Sequence, residues 1–296
     1  MNVLIVGAGL FGCSIGEELA KHGIDVTIID REKEFMQRAS KCNHNRMHLG
    51  FHYPRSSRTA VQSTNGLLSF MMAYGDAVVN GFPNYYAVAK ENSKVEADRF
   101  RDFCDEVGLF YVEEMPDKAY INHDFISTSF KCNEPIFDFA LLQGIVRKKV
   151  NKYSNIKLNF ETPFSPSMID DYDYIVNASY EGINVIHEYL GVEPISLKLQ
   201  DVVIPILELD IPRIGLTIMD GPFGSVMPKG VDKGKFLLYD VVESVLEQSY
   251  DGTLKEDVKV DYDRFIDKAR EMYPFCLLYT SPSPRDATLS RMPSSA

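Results

Sequence analysis

The sequence predicts a two-part α/β protein: a Rossmann-like nucleotide-binding domain with an interleaved antiparallel β-sheet domain. Three observations predict it. Asn2–Val6 and Asp25–Ile29 are short β-branched runs of the kind that fill a parallel sheet buried on both faces. A glycine-rich turn and a helical pattern lie between them, making a βαβ unit. From Leu197 to about Val242 the texture changes to alternating β-runs split by Gly and Pro, as in a sheet with one face covered.

The first unit carries the strongest motif. Gly7-Ala8-Gly9-Leu10-Phe11-Gly12 follows the first strand and opens the helix, which is the context a G-x-G-x-x-G fingerprint needs. Gly7 allows the tight turn, Gly9 leaves room for a pyrophosphate, and Gly12 lets helix and strand pack closely. The helix N-terminus offers N–H groups and the positive end of its dipole to phosphates. Ile15, Leu19 and Ala20 are expected inward, with Glu17, Glu18 and Lys21 outward. Asp30 stands eighteen residues after Gly12, where an acid accepts ribose hydroxyls and repels a 2′-phosphate, which disfavours NADP.

Composition narrows the class. The 296 residues carry a net charge of −11, which argues against nucleic acid and anionic membrane surfaces as partners. Five cysteines without C-x-x-C pairs suit reduced cytoplasmic thiols, and no run of eighteen apolar residues predicts a membrane span. Leu10-Phe-Gly-Cys13 superficially suggests a lipoprotein cleavage site, but no basic segment precedes it.

Further elements follow in order. Arg55 to about Val79 is predicted helical, with Val61, Leu67, Leu68, Met71, Met72 and Tyr74 as its apolar face and Met71-Met72 as core filling. Asn84–Ala89 reads as a strand, and Ser93–Gly108 as a helix with a Ser93/Glu96 capping box and a glycine stop. Leu109–Val112 and Asp124–Lys131 have strand character. Pro135–Val150 reads as a helix burying Phe137, Leu141, Leu142, Ile145 and Val146. Ile156–Phe160 and Asp173–Ala178 are further strands, Asp220–Gly224 a turn, and Val258–Tyr273 a last amphipathic helix. Residues 277–296 turn abruptly rich in Ser, Pro and Arg. They look like adaptor-derived read-through and are expected to be disordered, with the native gene continuing past about Phe275. The expected division is 1–80 with 135–195 as the nucleotide domain, and 81–134 with 196–276 as the substrate domain.

The segment Lys41–Pro54 separates the possible cofactors. A nicotinamide dehydrogenase would proceed from Asp30 to another βαβ repeat; this chain supplies a polar loop in which Ser40, Asn43 and Asn45 can donate to phosphate and ribityl oxygens. Asn43, His48, Gly50 and Tyr53, together with the fingerprint, Asp30-Arg31 and Tyr174–Ser179, resemble the FAD-dependent D-amino-acid oxidase superfamily, which includes glycine oxidase and L-2-hydroxyglutarate dehydrogenase. Three positions depart from that pattern. Asn45 stands where Gly is usual and Arg46 where an apolar residue is usual; a third, Tyr180, follows Ala178-Ser179 where the family has Gly.

The resemblance implies FAD, held by Gly7, Ala8, Gly9, Phe11, Gly12, Asp30, Arg31, Ser40, Asn43, Asn45, His48, Gly50, Ala178 and Ser179. It implies oxidation of a small amino or hydroxy acid by hydride transfer to flavin N5, with oxygen or a quinone reoxidising the ring. His48 is the candidate for proton transfer beside the flavin, Tyr53 for an active-site phenol, and Arg46 for gripping a substrate carboxylate. His44, His48 and His52 are four apart, but Gly50 and Pro54 argue against the helix a metal site would need, so none is expected. The competing readings are an NAD-dependent dehydrogenase, a flavoprotein without net redox turnover such as a sugar mutase, and an inactive fragment.

Overall fold

A computed structural model describes residues 1–250, 259–275 and, as backbone, 287–293. The chain opens with β1 (Asn2–Val6), α1 (Leu10–Lys21) and β2 (Asp25–Ile29), then α2 (Ser57–Tyr74). Strands β3 (Val78–Val79) and β4 (Asn84–Ala89), helix α3 (Ala97–Val107), and strands β5 (Val112–Glu113), β6 (Ile126–Cys132) and β7 (Ile136–Phe137) follow. Next come α4 (Phe139–Asn151), β8 (Ile156–Asn159), β9 (Tyr174–Asn177) and α5 (Ile183–Leu190). The last part holds β10 (Leu199–Glu208), β11 (Gly215–Met219), β12 (Gly224–Pro228), β13 (Lys235–Asp240), β14 (Val245–Ser249), α6 (Tyr262–Met272) and β15 (Ala287–Pro293).

Two sheets organise these elements. A parallel sheet of order β8-β2-β1-β9 has β1 at its centre, its apolar run buried from Val3 to Val6. Helices α1 and α4 cover one face, where Val3, Ile5, Cys13, Val26, Ile28, Leu142, Val146 and Val150 form one core. The larger sheet runs β14-β10-β13-β12-β11-β4-β6-β5, with β15 also pairing with β10. It is mixed rather than purely antiparallel as expected: β4 and β11 are parallel neighbours, and every other pairing in it is antiparallel. Phe236, Leu238, Phe265, Met272 and Tyr273 lie in its main core.

Several expectations are corrected. In α1, Glu17 is buried beside Lys149 (3.2 Å) and Lys21 (3.3 Å), whereas Ile15 is exposed. A buried acid is tolerated there because two lysines partner it. Helix α3 starts at Ala97 rather than Ser93; the Ser93 hydroxyl bonds the Val95 backbone in a local turn instead of capping the helix. The expected strand at Leu109–Val112 shrinks to Val112–Glu113. Helix α4 begins only at Phe139: Ile136–Phe137 pairs with Val78–Val79, and Asp138 provides the cap by accepting the Leu141 N–H at 2.9 Å. Leu141 consequently turns outward.

The largest difference concerns α2. Only Ala60 and Tyr74 of its eighteen residues are buried, and Val61, Leu68, Met71 and Met72 face out. At the C-terminal end, Ala287–Pro293 forms an antiparallel strand along Leu199–Pro205, although disorder is expected there. The free edge of β10 offers unpaired backbone groups that any extended segment satisfies. The rest of the expected disordered stretch, 277–286 and 294–296, lies outside the described residues, as does Val258; residues 259–261 are not helical, and the last helix starts at Tyr262 with Asp261 as its cap. No helix among the described residues is long and apolar enough to cross a membrane.

Candidate active site

The glycine turn at the end of β1 is shaped by two close approaches. Gly7 has φ of +115°, and a Cβ on it would lie 2.5 Å from the Ala178 carbonyl oxygen at the end of β9. A Cβ on Gly12 would lie 1.9 Å from the Gly7 carbonyl oxygen. Gly9 differs: its nearest neighbour would be the Ser40 hydroxyl at 3.4 Å, an ordinary contact. The protein's own packing therefore does not require glycine at position 9, and the space it keeps open lies at the N-terminus of α1.

Around this cradle Ser40 Oγ accepts the Leu10 N–H (3.1 Å), which leaves its own proton free to donate. Asp30 accepts the Ala8 N–H at 2.7 Å and the Glu32 N–H at 2.9 Å, so both carboxylate oxygens are fixed beyond the end of β2. Arg31 pairs with Glu181, tying the β2 end to the β9 end, and Phe11 stands exposed on the first turn of α1. Ser179 bonds Asn177 at 2.6 Å.

The loop after Ser40 is held largely by its own polar groups. Asn43 accepts the Asn45 N–H (2.7 Å) and donates to the Ala39 and Ser40 carbonyls, so its side chain braces the loop. Asn45 has φ of +56° and Tyr180 +58°. Both positions where the resemblance led one to expect glycine thus keep the left-handed backbone that glycine favours. The Asn45 carbonyl accepts the Phe137 N–H and the Pro135 carbonyl accepts the Met47 N–H, which seats the loop on residues 135–137. Gly50, with φ of +117°, packs tightly on Ala60 at the start of α2.

This seating brings Arg46 and His48 to Glu134, a residue the sequence reading missed. Glu134 is fully buried; Oε1 accepts the Tyr86 hydroxyl at 2.6 Å and Oε2 the Leu49 N–H at 2.9 Å. Arg46 Nε lies 3.4 Å and His48 Nδ1 3.6 Å from Oε1, both ion-pair distances. Burial alone would raise the Glu134 carboxyl, but His48, Arg46 and Tyr86 outweigh it and hold it down to about 2. Arg46 is itself buried, donates to Thr217 Oγ1 at 2.8 Å and lies over the Tyr86 ring.

Arg46 and His48 line one wall of a cavity of about 270 Å³, with Ser63, Leu67 and Phe70 of α2 and Phe137 of β7 around them. Tyr53 touches the His48 ring edge-on (centroids 5.6 Å apart) but does not line that cavity, and His52 stacks on His48 at 5.0 Å. His44 packs edge-on against Tyr239; burial first, then Arg46, pushes it well below the usual histidine range. The buried His44 Nε2 and Asn45 Oδ1 have no hydrogen-bond partner among the described residues. Nothing in the sequence points to Glu134, Tyr86 or Thr217, since the partners that make the site lie about 40 or more residues away.

Residues 2–121, which hold both the cradle and this loop, match the sequence profile of the FAD dependent oxidoreductases, DAO. The chain carries an FAD-dependent oxidoreductase domain. The domain's cofactor is FAD, and the residues present fit it: a cradle with room at Gly9, a fixed acid beyond β2, and partnerless buried polar atoms in the loop. The chain is 27% identical over 250 residues to the FAD-dependent monooxygenase FPY4 of Fusarium mangiferae, covering 82% of this chain and 65% of that one. It is 34% identical over 111 residues to the FAD-dependent monooxygenase kojA of Aspergillus flavus, covering 36% of this chain and 26% of that one. The chain thus spans less than two thirds of the length of these relatives.

Among solved structures, glycine oxidase from Geobacillus kaustophilus superposes with a TM-score of 0.72 at 14% identity, over 99% of this chain and 82% of that one. L-proline dehydrogenase from P. horikoshii gives 0.74 at 12% identity, over the same shares. The FAD-bound L-α-glycerophosphate oxidase from Mycoplasma pneumoniae gives 0.69 at 14%, over 99% and 83%. The chain therefore shares the fold of these three proteins.

Proposed function

We propose that this protein oxidises a small acid at the carbon bearing its amine or hydroxyl group. The observation that supports this reading most is the shared wall of one cavity by Arg46 and His48, with the ionised Glu134 buried behind both. FAD, when bound, supplies the two-electron acceptor, which oxygen or a quinone then reoxidises. Gly7, Gly9, Gly12 and Asp30 would hold its nucleotide half, and Ser40 and the Asn43–Gly50 loop the remainder.

The chain's own residues do the rest. Thr217 and Glu134 fix the Arg46 guanidinium, whose remaining N–H donors match a carboxylate. His48 takes the proton released from the substrate's hydroxyl or ammonium group, and Glu134 stabilises the imidazolium that results. Phe70, Phe137 and Leu67 keep the cavity apolar elsewhere, which strengthens both charge interactions.

A second reading, insertion of an oxygen atom into the substrate, draws on the monooxygenase FPY4 match across most of the chain. Turnover of the flavin-loaded protein with a panel of amino and 2-hydroxy acids, under ¹⁸O₂, separates the two. Formation of a keto or imino acid without label supports hydride removal. Labelled product supports oxygenation. A flavin-loaded protein that reduces no acceptor with any of these acids sinks the proposed substrate class.

A further inference from the structure

Helix α2 is out of keeping with the rest of the surface. A quarter of the whole chain is charged, yet Ser57–Tyr74 holds one cation, Arg58, and no acid. Its outer face shows Val61 (47% exposed), Leu68 (62%) and Met72 (90%), an apolar strip of the kind soluble surfaces seldom leave bare. Val61, Asn65, Leu68 and Met72 are spaced four, three and four apart, the alternation of a coiled-coil seam with one polar residue in it. All four point away from the body of the protein.

We propose that this seam pairs with the same helix of a second copy of the chain, antiparallel, about a two-fold axis between Asn65 and Leu68. Charge decides the direction. Arg58 lies on the first turn of α2 and Asp76 in the short 3-10 turn that follows its last residue; both are exposed, and neither forms an ion pair among the described residues. In an antiparallel pair each Val61 meets the partner's Met72, each Asn65 the partner's Leu68, and Arg58 falls beside the partner's Asp76 at both ends. A parallel pair would set Arg58 against Arg58 and Asp76 against Asp76, which repels at both ends. Asn65 beside Leu68 fixes the register at some cost in affinity. One helix pair sits at the small end of specific interfaces, so dissociation on the order of micromolar is expected. The inner side of α2, with Ser63, Leu67 and Phe70, faces the candidate active site, on the side of the helix away from the seam.

Sedimentation velocity of the full chain over roughly 1–100 µM tests this. The expected result is a reversible monomer–dimer equilibrium that Leu68→Glu weakens by more than about tenfold without lowering the melting temperature. Arg58→Glu alone and Asp76→Arg alone should each weaken it, and the double variant R58E/D76R should restore it. A monomer at every concentration overturns the proposal, as does a dimer indifferent to Leu68→Glu, since another surface or partner would then be at work. Failure of the double variant to restore pairing overturns the antiparallel arrangement.

Discussion

The Tyr86 hydroxyl donates to Glu134 Oε1 at 2.6 Å, and the same carboxylate oxygen faces Arg46 and His48 of the loop after β2. Tyr86 and Glu134 are both fully buried. Glu134 therefore neutralises Arg46 inside the protein, and removing its charge leaves a buried guanidinium uncompensated. Glu134→Gln should cost about 3 kcal/mol or more in urea denaturation. A loss under about 1 kcal/mol would mean that the pair is not buried as described.

Acid should destabilise the protein in two windows. His44 is held neutral in the folded chain, so the unfolded chain binds more protons below the ordinary histidine value of 6.5, and stability falls as pH drops from there. Glu134 is held down to about 2 against an ordinary 4.5, so its contribution is complete above 4.5 and is lost as pH falls toward 2. Melting temperatures between pH 7 and pH 3 should decline throughout. His44→Phe should flatten the upper part of that curve only; an unchanged slope would rule His44 out as its source.

Gly9 and Gly12 should separate binding from folding. Gly12→Ala forces a methyl onto the Gly7 carbonyl and should destabilise by roughly 1–3 kcal/mol or more. Gly9→Ala meets only ordinary contact, so its melting temperature should barely move while the flavin absorbance recovered with the protein drops. Full flavin content in Gly9→Ala would place the pyrophosphate elsewhere.

Tyr180 holds a left-handed backbone that a residue with a Cβ adopts at a cost. Tyr180→Gly should relieve about 1 kcal/mol of it, partly offset by the greater freedom of glycine in the unfolded chain. Thermal unfolding of that variant, compared with Tyr180→Ala, checks the sign: glycine should be the more stable of the two.

The βαβ unit was legible because its determinants are local: two apolar runs, three glycines and one acid within thirty residues. Asn45 and Tyr180 read as departures because a letter shows the side chain, whereas the backbone angle is what these positions share with glycine. Helix α2 was legible as a helix but not in its burial, since periodicity marks an apolar face without saying what covers it. Glu134 was not legible at all. Its partners come from residues 46, 48, 49 and 86, and only the packing of the loop on residues 135–137 brings them together.

The contact between Gly7 and Ala178 also orders events during synthesis. The fingerprint leaves the ribosome first, but the wall it leans on lies some 170 residues later, on the strand that completes β1 as a central strand. Until β9 is made, β1 has one open edge and the glycine turn has no backing. The nucleotide cradle is therefore a late product of a sequence that begins with it, and a nascent chain ending before Ala178 should take up no flavin.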